Sequence, residues 1–449
     1  MIYVVAVVAA VAGFLFGFDE GVIAGALGPL KAEFAISPLV EGTMTAAVPL
    51  GALVGALVAG RLAAPIGRRR LLLAAAVLFS VGALAAALAA DVWMLTFVRL
   101  VLGAAIGIAA MMAPLYISES APPASRGMLI SIYQLAITLG IVGAYLVNWA
   151  LDDWRLVFAA GLVPGLVLFV GMWRLSDTPR WLVQRGKLRA ARATLARLHG
   201  AADDNPAVTA ELNAIRNSIG ADHRAGGGLE ALVGPTLRPA LVVAMGLFLL
   251  QQLSGINAVI YYAPQVFGLA GFSSTAVQLL ATIGIGLVNV VMTVVGMVLI
   301  DRLGRRRLLV AGFAGTAGSL AAIALAAAVG AESLSWLALL GLAVYIASFA
   351  VAVGPLPWVM MAEVFPLTVR GAGMSLAQIT NWAFNFLVVL TFPVLVGAIG
   401  LAGVFALYAL VCATGVVFTL RLVPETRGVT LEAIEAHLRS GRPLRQLAA

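Results

Sequence analysis

Twelve apolar stretches follow one another along the chain: 3–28, 44–64, 71–90, 93–113, 128–150, 155–175, 239–265, 275–300, 308–329, 336–361, 372–397 and 401–422. A helix needs roughly 20 apolar residues to cross the hydrocarbon core of a bilayer. Inside lipid the backbone must satisfy its own hydrogen bonds, so a series of spans of this length means helices. Charged residues make up 11% of the 449 residues, and mean hydropathy is +1.05. Soluble domains carry about 25% charged residues. The sequence therefore predicts an all-α integral membrane protein with twelve transmembrane helices embedded in a lipid bilayer.

The formal charge of +8 reports topology rather than a nucleic-acid partner. Apart from Lys31, Arg99 and Arg155, the Lys and Arg residues lie in or beside the even-numbered loops or in the C-terminal tail. By the positive-inside rule both termini are expected in the cytoplasm, and a multi-pass protein of the plasma membrane is expected. It also repeats itself. Gly67-Arg68-Arg69-Arg70-Leu71-Leu72 after the second span returns as Gly304-Arg305-Arg306-Arg307-Leu308-Leu309 after the eighth, and the step from Glu119 to Arg126-Gly127 returns as Glu363 to Arg370-Gly371. Two parallel six-helix halves follow, the arrangement of major facilitator transporters. The expected domains are an N-terminal bundle (1–175), a cytoplasmic helical linker (176–237) hinged at Gly226-Gly227-Gly228, a C-terminal bundle (238–422) and a cytoplasmic tail (423–449). In the tail, Thr430 is a plausible N-cap for a short helix.

Several functions are excluded by the residues. Cys412 is alone inside the last span, and His199, His223 and His437 are not spaced as metal ligands. No Walker loop is present. Gly51-x-x-x-Gly55 and Gly103-x-x-x-Gly107 sit in apolar spans, where such spacing serves close helix packing. Neither a cofactor nor enzymatic chemistry is expected. What needs explaining is the polarity within the spans, because polar groups are costly there. Gln251, Gln252, Ser254, Asn257, Tyr261 and Tyr262 share one segment, with Gly255 in its middle and Pro264 near its end. This pattern predicts a helix that loosens and presents amides to a cavity. Asp19 and Arg99 are an acid and a base inside the first and fourth spans, and a mutual ion pair is their least costly arrangement.

With these motifs in place the chain resembles the sugar porter family of the major facilitator superfamily over essentially its full length. The resemblance is carried by residues 13–27 (GFLFGFDEGVIAGAL), 99–107 (RLVLGAAIG), 114–127 (PLYISESAPPASRG), 177–182 (DTPRWL), 251–264 (QQLSGINAVIYYAP), 301–307 (DRLGRRR), 354–371 (GPLPWVMMAEVFPLTVRG) and 424–428 (PETRG). It implies a twelve-span alternating-access carrier for monosaccharides or related polyols. Amides suit that task, since each both donates and accepts hydrogen bonds and carries no charge. The resemblance implies sugar contacts for Gln134, Gln251, Gln252, Asn257, Asn289 and Asn381, with Asn385 as an outside candidate. It places the aromatic residues Phe16, Tyr261, Tyr262, Trp358 and Trp382 around the sugar, Tyr261 and Tyr262 as gates. Interhelical hydrogen bonding and plain packing are the competing roles for these side chains.

Proton-coupled members of the family carry an acid at the position of Asp19, partnered by the arginine matching Arg99, and facilitators generally lack that acid. The resemblance thus implies a proton symporter importing a monosaccharide, a hexose such as glucose, and working as a monomer. A facilitative uniporter and a transporter-fold sugar sensor are the alternatives. Glu20 faces away from Asp19 on a helix and is expected near the outer mouth. At the cytoplasmic span ends, Glu119, Arg126, Arg180, Asp301, Arg302, Glu363, Arg370 and Glu425 are expected to form an ionic lock across the halves. One departure stands out: Ala64 and Pro65 replace the family's usual Asp and Arg, which the second half keeps as Asp301 and Arg302. A less secure outward-facing state is expected from that loss.

Overall fold

The computed structural model describes residues 2–122, 126–202, 204–224, 232–330, 334–366, 369–429, 431–440 and 442–447. Among the described residues the regular structure is entirely helical. The first half consists of α1 (Ile2–Phe34), α2 (Pro38–Ile66), α3 (Arg68–Ala87), α4 (Val92–Ser120), α5 (Arg126–Ala150) and a sixth span broken at Gly161 into α6 (Trp154–Ala160) and α7 (Leu162–Arg174). The linker holds α8 (Pro179–Gln184), α9 (Leu188–His199) and α10 (Pro206–Arg224). In the second half come α11 (Arg238–Leu253), α12 (Ile256–Leu269), α13 (Thr275–Leu303), α14 (Arg305–Ala328), α15 (Leu334–Ser348), a π-helical turn (Phe349–Val353), α16 (Leu356–Val364) and α17 (Arg370–Leu422). The tail carries α18 (Leu431–Arg439).

Eleven segments among the described residues are long and apolar enough to cross a membrane. One of them, α17, runs for 53 residues and turns at Gly400, whose φ of 68° breaks the helical path. It therefore makes two crossings, which brings the count to twelve. Glycine is suited to that turn because a positive φ costs it nothing.

The glycine pairs read as packing devices do pack. A Cβ on Gly51 or Gly55 would lie 2.0 or 2.1 Å from the carbonyl oxygens of Leu100 and Ala104, and one on Gly103 or Gly107 would lie 2.1 Å from those of Val48 and Ala52. The contact between α2 and α4 is thus backbone on backbone, which larger side chains would prevent. In the linker, Thr178 caps α8 by accepting from the Trp181 N–H, with Pro179 at the first helical position. Trp181, Leu182, Ala191, Leu195, Ala196, Val208 and Leu212 form a small core of their own there. Gly226-Gly227-Gly228 and Thr430 lie outside the described residues.

The chain divides into two compact units, Met1–Val22 with Ala47–Val147 and Asp153–Gly226, and Ile23–Ala46 with Asn148–Asp152 and Gly227–Ala449. The linker belongs to the first unit. The end of α1, the start of α2 and the turn between them belong to the second.

Candidate substrate and coupling sites

In the second unit the amides of the seventh span form a chain. Gly255 is left-handed, with φ 88°, and separates α11 from α12. The Ser254 hydroxyl donates to the Gln251 carbonyl at 2.6 Å, and Tyr345 donates to the Ser254 carbonyl at 2.9 Å, so the break is held from both sides. A Cβ on Gly255 would lie 2.3 Å from the Tyr408 ring. Gln251 donates from Nε2 to the carbonyls of Val353 and Gly354, at 2.9 and 2.7 Å. Those acceptors have a local origin. Residue 357 is proline, which has no N–H to return to the Val353 carbonyl one helical turn back. The preceding π-helical turn closes with Gly354 N–H donating to the Phe349 carbonyl at 2.8 Å. Such turns are frequent at functional sites.

The other amides hang on this anchor. Gln252 Nε2 donates to Asn381 Oδ1 at 2.6 Å and more distantly to Gln251 Oε1 at 3.4 Å, while Asn257 Nδ2 donates to Gln252 Oε1 at 2.6 Å. The described hydrogen bonds use the Asn257 amide nitrogen and the Asn381 carbonyl oxygen, and the buried Oδ1 of Asn385 has none. Asn289 is buried as well. Trp382 is buried beside Asn381, and Trp358 stands edge-to-face with Phe248 at 4.8 Å. Tyr262 donates to the Val389 carbonyl at 3.2 Å and stacks on Phe392 at 4.8 Å, and Tyr261 is fully buried.

Within the first unit, Asp19 Oδ2 and Arg99 Nη2 are 3.8 Å apart, with side-chain exposures of 3% and 0%. At that distance they attract as charges but do not share a hydrogen bond, and Asp19 Oδ2 has none. The Arg99 guanidinium also lies 5.9 Å from the centre of the Phe158 ring. Phe16 and Gln134, both partly buried, are in the same unit. Glu20 is itself buried, in the electrostatic range of the Tyr133 and Tyr145 phenols on α5. The alternation of faces on a helix separates it from Asp19, but it cannot tell that the opposite face is also packed.

Comparison with known proteins matches residues 5–438 to the family model described as "Sugar (and other) transporter". The chain belongs to the sugar transporter family. This transporter is 38% identical to the D-xylose transporter of Levilactobacillus brevis over 96% of its own length and 94% of the relative's. Its identity to the galactose-proton symporter of Escherichia coli (strain K12) is 37%, over 100% and 97% of the two chains. Among solved structures, the partially occluded inward open conformation of the xylose transporter XylE from E. coli matches with a TM-score of 0.84 and 29% identity, covering 96% of this chain and 99% of that one. These are transporters, not enzymes.

At the transporter's basic end the duplicated motifs build two clamps of the same design. In the first unit, Arg68 Nη2 donates to Glu119 Oε1 at 2.8 Å, the Thr178 hydroxyl donates to Glu119 Oε2 at 2.6 Å, and Asp177 Oδ1 accepts from the Arg68 and Thr178 N–H groups. In the second, Arg305 Nη2 donates to Glu363 Oε1 at 3.0 Å, the Thr426 hydroxyl donates to Glu363 Oε2 at 2.5 Å, and Glu425 accepts from the Arg305 and Arg306 N–H groups. Arg68, Thr178, Arg305 and Thr426 are the partners that sequence reasoning missed. The signal was present, since Arg68 and Arg305 head the two GRRR repeats. The described contacts of Glu119, Glu363 and Glu425 thus fall inside their own halves.

Other expected members of the lock take different places. Arg370 donates to the Phe365 carbonyl, and the Arg302 carbonyl accepts from Arg427. Arg180 is partly buried, and the side chains of Arg126 and Asp301 lie outside the described residues. Burial raises the Asp177 carboxyl above its ordinary value of 3.8, against the lowering effect of the backbone N–H groups of Thr178, Arg69 and Arg68. Ala64 and Pro65 contribute backbone instead of charge: the Ala64 carbonyl accepts from Trp181 Nε1 at 2.8 Å, and the Pro65 carbonyl accepts from Arg185.

Proposed function

We propose that the transporter imports a monosaccharide together with a proton by alternating access, with a hexose such as glucose as its substrate and both termini in the cytoplasm. The observation that carries the reading is a division of labour. One unit holds a neutral, hydrogen-bonded amide wall, and the other holds a buried carboxylate and guanidinium 3.8 Å apart, too far to share a hydrogen bond with each other. Relatives named as symporters for galactose, arabinose and xylose support proton coupling, and a glucose transporter of Staphylococcus epidermidis, 35% identical, supports a hexose.

The amide wall receives sugar hydroxyls without net charge. A hydroxyl donates to the Asn257 or Asn385 carbonyl oxygen and accepts from the Asn381 amide, so the same group is used both ways. Gln251 and Gln252 orient these contacts because their own amides are committed to Val353, Gly354 and Asn381. Trp358 and Trp382 cover the apolar face of the ring. Asp19 takes the proton. Once neutral, it releases the Arg99 guanidinium, and the loss of that attraction biases the change from outward to inward opening. A membrane potential contributes about 2.3 kcal/mol per charge per 100 mV, enough for one proton to drive accumulation on the order of tenfold or more. We read the two basic-end clamps, with Arg126, Arg180, Asp301, Arg302 and Arg370, as a lock whose network of charges biases the rocking equilibrium.

Reconstitution into liposomes tests the reading. A panel of hexoses and pentoses is offered with and without an imposed pH gradient, and the accumulated sugar should follow the gradient. Asp19→Asn is expected to abolish uphill uptake while sparing exchange of labelled sugar. Full accumulation by that variant would remove Asp19 from the coupling role and leave a facilitative carrier.

A further inference from the structure

A second polar cluster lies in the second unit, at the far end of α12 from the amides. Glu41, in the first turn of α2, is buried to 1% side-chain exposure and accepts two bonds. Lys31, in the last turn of α1, approaches its Oε2 at 2.7 Å, and Gln265 on α12 donates from Nε2 to its Oε1 at 2.9 Å. Gln265 follows Pro264, and Tyr262 three residues earlier is the phenol that donates to the Val389 carbonyl. Gly42, beside Glu41, touches the same stretch of α17: a Cβ there would lie 2.2 Å from the Leu390 carbonyl oxygen. Gly42 and Tyr262 therefore meet residues 389–392 from two different helices, and their neighbours Glu41 and Gln265 bond to each other.

The grouping is unusual for its chain positions. Residues 23–46 come from the first sequence repeat yet cluster with the second. They lie at the end of the spans opposite the basic loops. A carboxylate is a costly group to bury unless it is paired. Here Lys31 compensates it from its own hairpin, and Lys31 itself remains 39% exposed. The bond from Gln265 then decides whether the hairpin is tied to α12.

We propose that Glu41 and Gln265 form the latch of the outer gate: the Gln265–Glu41 hydrogen bond closes the outer entrance to the sugar, and it must break for loading from outside. Lys31, 2.7 Å from Glu41 Oε2, holds the side chain in position while the latch is open. The inference rests on the reading of the chain as an alternating-access carrier.

The test uses full-length protein in right-side-out vesicles, with Cys412→Ser to remove the native thiol and Val389→Cys as a reporter buried in the seal. The labelling rate by a membrane-impermeant maleimide reports outer opening. Gln265→Glu sets two carboxylates against each other and should raise the rate roughly fivefold or more, whereas Gln265→Lys gives Glu41 a second cation and should lower it; coupling between linked states starts at about that size. Opposite shifts from substitutions at one position are what a latch gives and a packing defect does not. The latch is overturned if both variants move labelling in the same direction, or if neither moves it while both elute as monodisperse protein. Sugar uptake by the reporter protein is measured in parallel. Uptake with unresponsive labelling sinks the latch alone, and absence of uptake for every sugar sinks the carrier reading whatever the labelling does.

Discussion

The two basic-end clamps share a set of bonds and differ in their covering. Arg68 and Glu119 have side-chain exposures of 9% and 7%, whereas Arg305 and Glu363 have 13% and 26%. The first clamp is roofed by the linker, where Trp181 and Arg185 reach the Ala64 and Pro65 carbonyls and the linker helices have a core of their own. The second is flanked by the strap of residues 424–427, with Arg427 donating to the Arg302 carbonyl at 2.7 Å. Duplication has kept the chemistry, an arginine, a glutamate, a threonine and an acid that accepts backbone N–H groups, but the environment is not the same. One design thus has two energies. A buried ion pair is strongly destabilising to break, because one charge is left uncompensated. A partly exposed pair can replace a lost partner with water.

The sharpest way to break this comparison is to remove the same group from each clamp. Glu119→Gln should cost roughly 3 kcal/mol of stability, the lower part of the range for a buried pair. Glu363→Gln should cost about 1 kcal/mol or less. Thermal unfolding of the two purified variants reads the difference, and equal shifts would mean that burial does not separate the clamps. A smaller effect is expected at the span ends. Ala64→Asp restores to the first half the acid that the second has in Asp301. Position 64 is exposed, so stability should move by no more than about 0.5 kcal/mol. The outward-facing population should nevertheless rise, by about fivefold for a bias of 1 kcal/mol. Distance measurements between labels on the two halves check it, and an unchanged distribution together with an unchanged transport rate would show that the missing acid is of no consequence.

Much of this architecture is legible in the chain because it is written in short-range signals. Span length and hydropathy identify the helices, and the break at Gly255 follows from a glycine among polar residues. The turn at Gly400 sits in the short gap between the stretches 372–397 and 401–422. What could not be read is where a partner lies more than a hundred residues away. That Gln251 is anchored depends on Pro357 withholding an N–H from Val353, on another helix. Glu119 and Glu363 repeat visibly, but nothing local says that their arginines are the first of each GRRR run rather than Arg126 and Arg370. Glu20 shows the same gap, since a helical wheel gives its direction and not what fills it.

A last comparison distinguishes the two acids that receive the backbone. Asp177 takes the Arg68 and Thr178 N–H groups on Oδ1, at 3.2 and 2.9 Å. Glu425 uses both oxygens, Oε1 for Arg305 and Arg427 and Oε2 for Arg306. An amide in place of Asp177 keeps its Oδ1 bonds, whereas Glu425→Gln turns one acceptor into a donor facing the Arg306 N–H and should cost about 1–2 kcal/mol. The pH dependence sharpens the point. Burial raises the Asp177 carboxyl above 3.8, so the folded chain holds that proton to a higher pH than the unfolded one. Between 3.8 and the raised value the folded state binds more protons, and stability falls as pH rises through that window. Asp177→Asn removes this contribution. From about pH 4 upward the variant should gain on the parent until the carboxyl is fully ionised. Unfolding midpoints of both proteins across the acid range measure it; parallel profiles would mean that the Asp177 carboxyl titrates alike in the folded and unfolded chain.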